Sequence, residues 1–142
     1  MIKPNHFNGV VEWSQAQTEA LSAFYSKYGK KWIEAIVLEK KPEGFQFRDD
    51  TLAVVKRRLV QLLNIDLQNG QMTCSGIFDT VAGENTIEEM CRDLEQAKIV
   101  VVDTSYFSGA IEIMVGTIIA TTIFERYKYY KRKGELEMKP VV

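Results

Sequence analysis

The residues best placed to do chemistry are three consecutive polar residues, Asp103, Thr104 and Ser105, which directly follow an apolar run. That run, Lys98–Asp103, is typical of a strand buried on both faces of a parallel sheet. Ligands of open α/β sheets bind beyond the carboxyl ends of such strands, where these side chains would lie. Two interpretations follow. The side chains face a nucleotide, a metal-bound water or a neighbouring subunit, or Asp103 caps the turn by bonding the amides after it.

The sequence contains no complete catalytic or phosphate-binding motif. Its only Gly-Lys pair, Gly29-Lys30, is followed by Lys31 instead of Ser or Thr and lacks the earlier glycine of a phosphate loop. A Gly-x-Ser-x-Gly elbow, a His-Glu-x-x-His motif and a carboxylate pair suited to acid–base catalysis are also absent. We therefore assign no catalytic residue to this chain, and no cofactor is expected to bind to it alone.

The metal-ligating side chains are too few for a structural zinc site. Cys74 and Cys91 are the only cysteines and His6 is the only histidine, so neither a Cys₄ nor a Cys₂His₂ site can be completed. Cys91 falls on the apolar stripe of a predicted helix, which favours an inert, buried thiol. We expect two free thiols in a reducing cytoplasm and no metal site.

Four amphipathic helices are predicted before Lys98. The first runs from Val10, or from a capping box at Ser14, to Gly29, and the second from Trp32 to Val37. The third runs from Asp49 or Asp50 to the Asn69-Gly70 turn. The fourth begins at a capping box at Thr86 and ends at Ala97. A short helical turn with Ile77, Phe78 and Val81 is expected between the last two. Residues 1–9 are expected to form an entry loop or a junction, and short connections favour an antiparallel bundle over residues 10–97.

The final segment, residues 98–142, follows a different pattern. After the predicted strand, Ser108 can cap a long helix that Gly134 ends, and Lys139–Val142 begins another buried strand. Strand, helix and strand form a right-handed βαβ unit whose partner strands are missing, so we expect a piece of a larger protein. The fold class is therefore mainly α (α+β).

Charge and hydropathy narrow the possible partners. A net charge of −1 argues against nucleic-acid binding by bulk electrostatics, although a local basic face is compatible with it. The basic end of the long helix either complements the helix dipole or contacts phosphate or a subunit; its residues are Arg126, Lys128, Lys131, Arg132 and Lys133. The longest apolar segment is broken by Glu112 and Gly116, so no membrane span is predicted and we expect a cytoplasmic protein.

The carboxyl-terminal third contains a set of residues in a distinctive order: Leu94–Ser105, Gly109, Glu112, Phe124–Lys128, Gly134–Leu136 and Lys139–Val142. In these residues the chain resembles the archaeal HerA family of DNA translocases. The resemblance implies a helical insertion, here a four-helix bundle, followed by a partial RecA-like core, with the acidic Walker B motif beyond the strand that starts at Pro140. The phosphate loop would lie before Met1.

The resemblance implies a hexameric ring ATPase that uses ATP and Mg to pump double-stranded DNA and works with the NurA nuclease in resecting DNA ends. It makes Asp103, Thr104 and Ser105 weak candidates for cofactor contact. The alternative is a stand-alone helical protein-interaction module without catalytic activity. In that case the unpaired strand Ile99–Val102 would be an edge liable to pair with another copy.

Overall fold

The computed structural model describes residues 2–40, 42, 44, 46–74 and 82–135. The chain divides into two compact units, residues 1–80 and 81–142. The described residues form helices α1 (Gln15–Tyr28), α2 (Trp32–Val37), α3 (Asp49–Leu63), α4 (Ala82–Glu95) and α5 (Gly109–Lys133) and strands β1 (Ile65–Gln68) and β2 (Gln71–Cys74). A short 3-10 helix, Pro4–Phe7, precedes α1. This mainly helical structure with a small antiparallel sheet confirms the predicted fold class.

The first helix begins at a capping box. The Ser14 hydroxyl accepts from the amide of Gln17 (3.4 Å), and the Gln17 side chain accepts from the amide of Ser14 (3.1 Å). These bonds satisfy two of the donors that a helix leaves open at its start, so α1 begins at Gln15 and not at Val10. Gly29, with φ +53°, ends α1 as predicted, because a residue with a side chain is strained in that conformation.

Aromatic rings form the core of the first unit. Phe7 and Trp32 are fully buried, and their rings meet edge to face with centroids 6.0 Å apart. The indole Nε1 of Trp32 donates to the carbonyl of Ile2 (3.0 Å), so burial leaves its polar atom satisfied. His6 is also buried, and its Nδ1 accepts from the Lys3 amide (3.1 Å). The only histidine therefore has a structural role.

A β-hairpin follows α3, in a region where the sequence analysis predicted continued helix. Asn64 adopts a left-handed conformation (φ +50°) and ends α3 at Leu63, after which β1 and β2 pair antiparallel. The predicted Asn69-Gly70 turn joins them, and both residues have positive φ, which is typical of a type I′ hairpin turn. The helix prediction for residues 64–68 was wrong because pairing with β2 gives this segment an alternative set of backbone hydrogen bonds.

The second unit contains α4 and α5. The predicted limits of α5 are confirmed: Ser108 occupies its N-cap position and Gly134, with φ +72°, follows its last turn. Helix α4 begins at Ala82, so Thr86 lies inside the helix and the predicted start there was wrong. This unit begins at residue 81, whereas the sequence analysis placed the end of a bundle at Ala97. Helix α4 packs against α5, and α1, α2 and α3 pack against one another.

The predicted strand Lys98–Asp103 is not a strand in this structure. Its backbone pairs with no other segment of the described residues, and the one described sheet contains only β1 and β2. A strand is stabilised by its ladder of hydrogen bonds, so an apolar run without a neighbour stays unpaired. The predicted helical turn at 77–81 and the strand from Lys139 lie outside the described residues. Within those residues, no helix offers an apolar stretch long enough to cross a membrane.

The buried indole of Trp32 generates the first prediction. Replacing it by alanine should lower the free energy of unfolding by about 3–5 kcal/mol, because a large cavity opens in the core. Trp32→Phe keeps most of the ring but leaves the Ile2 carbonyl without its donor, so a smaller loss of about 1–2 kcal/mol is expected. Urea titrations followed by far-ultraviolet circular dichroism measure both. Leu67→Ala, at an exposed position of β1, is the control, and equal losses in Trp32→Ala and Leu67→Ala would contradict the assigned core.

Candidate functional site

The candidate site is the chain between α4 and α5, residues 98–108, which we call the extended segment. Its start is fixed by the end of α4. Ala97 adopts a left-handed conformation (φ +59°), its amide donates to the Leu94 carbonyl (3.1 Å), and the Lys98 amide donates to the Asp93 carbonyl (3.0 Å). These are the two bonds of a Schellman motif. The Lys98 ammonium also pairs with the Asp93 carboxylate at 2.8 Å, so the direction in which the segment leaves α4 is set.

The first half of the segment exposes apolar side chains. Ile99 is 92% exposed and Val101 is 86% exposed, whereas the residues that follow each of them, Val100 and Val102, are half-buried. This alternation is that of an extended chain, in which successive side chains point to opposite sides. One side of the segment therefore presents large aliphatic groups to solvent beside backbone groups that no ladder satisfies.

The three polar residues form a turn. The Asp103 carboxylate accepts from the Ser105 amide (2.9 Å), and the hydroxyl and amide of Ser105 lower the pKa of the Asp103 carboxyl. The Thr104 hydroxyl donates to Glu112 Oε1 (2.8 Å), and its carbonyl accepts from the Phe107 amide (2.9 Å). The structure thus brings Asp103, Thr104 and Ser105 together as a capped turn, which is the geometry of the second interpretation.

An acidic residue in the first turn of α5, Glu112, binds the turn formed by Asp103, Thr104 and Ser105. Glu112 holds the Thr104 hydroxyl, and its amide donates to the Ser108 carbonyl (2.9 Å). The Ser108 side chain itself makes no capping hydrogen bond. A carboxylate at the start of a helix is stabilised by the helix dipole. The Thr104–Glu112 bond therefore ties the turn to α5 and sets where the segment ends.

An ion pair joins α4 to α5. Arg126 Nε donates to Glu95 Oε1 (2.5 Å) and Nη2 donates to Oε2 (3.0 Å), which is a two-point contact between planar groups. The hydrogen bond from Arg126 lowers the pKa of the Glu95 carboxyl, and the same bond raises the pKa of Arg126. The Arg126 guanidinium also lies 5.7 Å from the ring centroid of Tyr130. Both partners are largely covered, so this contact is stronger than a surface pair.

A small apolar cluster lies beside the ion pair. Cys91, Ile123 and Tyr127 are buried together, with Ile87, Leu94 and Ile119 packed against them. Burial raises the pKa of the Cys91 thiol and the pKa of the Tyr127 hydroxyl, so both stay neutral near pH 7. The buried hydroxyl of Tyr127 has no hydrogen-bond partner in the described part of the chain. Cys91 is thus a packing residue, as its place on the apolar stripe predicts.

The ion pair determines the direction of the extended segment. Arg126 lies 17 residues beyond Gly109, a distance of about 25 Å at 1.5 Å per residue. Because Glu95 is held beside Arg126, residues 96–108 must cover that distance to reach Gly109. Thirteen residues can span about 45 Å at most, so the segment reaches back along α5 with length to spare, and the turn at residues 103–107 fits within it.

The site contains few side chains that could hold a metal ion. No cluster of three or more His, Cys, Asp or Glu side chains suited to a metal occurs among the described residues. One carboxylate oxygen of Asp103 and one of Glu112 accept hydrogen bonds within the turn.

The structure separates the basic residues at the end of α5 into two groups. Arg126 is bound to Glu95, whereas Lys128, Lys131, Arg132 and Lys133 are exposed. The sequence analysis treated all five as one basic end and missed the pairing of Glu95 with Arg126, which are 31 positions apart. The one available signal was the position of Arg126 beside the apolar stripe of Ile123 and Tyr127.

The Glu95–Arg126 contact generates a pH prediction. The pKa of the Glu95 carboxyl is lower in the folded chain than in the unfolded chain, so the contribution of this group is complete above the unfolded value of about 4.3. It is lost as the pH falls through the lower, folded value. Glu95→Gln should abolish this acid-dependent change and cost about 1–2 kcal/mol at pH 7.

Amide hydrogen exchange of α4 and α5 measures that loss, which corresponds to exchange roughly tenfold faster in Glu95→Gln. Glu89→Gln is the matched control, because Glu89 is an exposed glutamate of the same helix. If both variants exchange at the wild-type rate, the ion pair does not hold the two helices together.

Comparisons with known proteins add no relative: no family model, no curated protein and no solved structure matches this chain. A functional conclusion therefore depends on two observations. One is the geometry of the extended segment, and the other is the sequence pattern of the carboxyl-terminal third, from which a HerA-type family is expected.

Proposed function

We propose that this chain is part of a HerA-type, ATP-driven translocase of double-stranded DNA, in which residues 98–103 add as a strand to a RecA-like sheet. The observation that carries the proposal is the exposure of Ile99 and Val101 on a segment whose two ends are both fixed. A strand that runs back along the helix following it is the arrangement of a βα unit. The extended segment and α5 have that arrangement.

The free energy gained by burying the exposed side chains of this segment favours a partner. Fully burying an Ile or Val side chain contributes about 1.5–3 kcal/mol, so covering Ile99 and Val101 contributes about 3–6 kcal/mol. Whole domains are stable by only about 5–15 kcal/mol. Strand pairing would also satisfy the amides and carbonyls of residues 99–102, which have no ladder partner in the described structure. Neighbouring strands would supply both contributions.

Within such a sheet Asp103, Thr104 and Ser105 would lie at its carboxyl edge and keep the turn to α5 in place. ATP and Mg would bind to residues that this chain does not supply, so no step of hydrolysis is assigned to it. By resemblance, the complete protein forms a hexameric ring in the cytoplasm, acts on duplex DNA and works with the NurA nuclease in end resection.

The second candidate is a stand-alone helical protein-interaction module. The favouring observation is the self-sufficient core of the first unit, where Phe7, Trp32, Val55 and Leu59 are fully buried. In this alternative the extended segment binds a strand of another protein by edge pairing. The two candidates differ in whether the segment belongs to the interior of an ATPase or to a binding surface.

The coding sequence around this chain tests the first candidate directly. The proposal expects a phosphate loop encoded before Met1, and an apolar stretch ending in two acidic residues after Val142. An open reading frame confined to residues 1–142 would overturn it and leave the interaction module. Purified chain 1–142 should hydrolyse no ATP, and steady turnover above that of a mock purification would also contradict the proposal.

The exposed strand predicts self-association of the isolated chain. Unpaired apolar edges pair with one another, so sedimentation velocity should give a weight that rises with concentration. Ile99→Asp/Val101→Asp should give a monomer at all concentrations, because charges on that side prevent pairing. Leu67→Asp, at an exposed leucine of β1, is the control and should associate like the wild type. A wild-type monomer at high concentration would contradict the proposed open edge.

A further inference from the structure

An open groove lies on the surface of the first unit, between the amino-terminal 3-10 helix and α1. Its volume of about 340 Å³ is near the lower end of the range for small-molecule sites, and equals that of about eleven water molecules in the liquid. Its apolar lining includes Trp13, Leu21 and Tyr25. A groove of this size and lining suits a small organic molecule better than a bare ion.

Trp13 brings an unused hydrogen-bond donor to this groove. Its indole Nε1 is buried and has no hydrogen-bond partner in the described part of the chain. The other indole, that of Trp32, donates to the Ile2 carbonyl (3.0 Å), so this core does satisfy an indole where an acceptor is in reach. A buried N–H without an acceptor costs free energy, which a partner with an oxygen atom recovers. The groove therefore favours a ligand that carries an acceptor oxygen.

The charges around Trp13 favour an anionic acceptor. Lys3 lines the groove, and the Arg58 guanidinium lies 5.6 Å from the centroid of the Trp13 ring. None of the described residues that line the groove carries a carboxylate, and the two glutamates nearest to Trp13 in sequence, Glu12 and Glu19, lie outside the lining. Positive charge on both sides of the indole attracts an anion, and a hydrogen bond to a charged acceptor is stronger than one to a neutral acceptor.

The core of the first unit holds the walls of the groove. The Trp13 ring meets the fully buried Phe7 edge to face, with centroids 6.3 Å apart, and the Tyr25 ring meets Trp32 in the same way at 6.4 Å. Walls fixed in this way lose little conformational freedom when a ligand binds. The indole nitrogen is covered in the free chain, so access to it requires a rotamer change at the rim, where Asn8 is exposed.

We propose that this groove binds a small organic carboxylate with an apolar body, and that one carboxylate oxygen accepts from the Trp13 indole. The apolar body packs on Leu21 and Tyr25, and Ser22, an exposed residue of the lining, has a hydroxyl that can donate to the second oxygen. The volume limits the ligand to about a dozen non-hydrogen atoms, since one water occupies about 30 Å³. The site belongs to the first unit alone, so this inference does not rest on the proposed translocase function.

Nuclear magnetic resonance of the ¹⁵N-labelled chain tests the site, because Trp13 and Trp32 give separate indole N–H signals. Phenylacetate is the probe, and phenylacetamide, which has nearly the same shape and no charge, is the matched comparison. Phenylacetate should move the Trp13 signal and leave the Trp32 signal in place, with half-saturation at about 1 mM or below. Phenylacetamide should bind at least about fivefold more weakly, because its oxygen is a neutral acceptor.

Three variants locate the binding. Trp13→Phe assigns the indole signals, keeps an aromatic ring at this position and removes the donor, so phenylacetate binding, followed by the backbone amides of α1, should weaken about tenfold. Ser22→Phe should abolish binding because the added ring fills the groove. Ser26→Phe, one turn further along α1 and outside the lining, is the matched control and should bind like the wild type. Both serines are exposed, so circular dichroism spectra of both variants should match the wild type.

The proposal is wrong if the Trp13 signal does not move with phenylacetate at about 10 mM, ten times the expected half-saturation. Equal affinity for phenylacetamide would remove the carboxylate as the recognised group. Binding to Trp13→Phe at wild-type affinity, or an equal loss in Ser22→Phe and Ser26→Phe, would place the contact elsewhere. None of these outcomes changes the test of the translocase proposal, which concerns the coding sequence and the extended segment.

Discussion

The second unit depends on one contact, the ion pair between Glu95 and Arg126. The apolar cluster of Cys91, Ile123 and Tyr127 supplies the burial that brings α4 and α5 together, but apolar contact is not directional and allows sliding. The two-point hydrogen bond between planar groups has one acceptable geometry, so it fixes which turn of α5 meets the end of α4. That register sets how far apart the two ends of the connecting segment lie.

Because both helices are fixed, the conformations open to residues 98–108 are restricted. The Schellman motif at Ala97 and the Thr104–Glu112 bond define where the apolar stretch starts and ends, and the alternating exposure of residues 99–102 is that of an extended chain. Extended chain with alternating exposure is the conformation that a sheet edge accepts, so the segment needs little reorganisation before pairing. The first unit contrasts with this arrangement, because it buries its aromatic side chains in its own core and the strands of its hairpin pair with each other.

Local rules explain which parts of the fold could be predicted from sequence. The ends of α1 and α5 were predicted because Gly29 and Gly134 adopt positive φ, a property that one residue determines. The hairpin at residues 65–74 was missed because the apolar residues after α3 suit a helix as well as a strand, and the choice between them depends on pairing. The expected strand at Lys98 required neighbours, which the pattern of one segment cannot supply.

The candidate site was predicted only in part. Two groups could be recognised from residue type and position alone. The polar residues from Asp103 to Ser105 follow an apolar run, and the basic residues of α5 lie at a helix terminus. The pairing of Arg126 with Glu95 depends on how two helices pack, and no spacing rule relates residues so far apart in sequence. That pairing separates Arg126 from its four exposed basic neighbours.

The placement of aromatic residues has a practical consequence for spectroscopy. Both tryptophans of the chain, Trp13 and Trp32, lie in the first unit, while the tyrosines at the end of α5 belong to the second. Intrinsic indole emission therefore originates in residues 1–80 alone. Excitation at the red edge of absorbance follows the melting of that unit, and the unit with the extended segment can unfold or bind without contributing emission of its own.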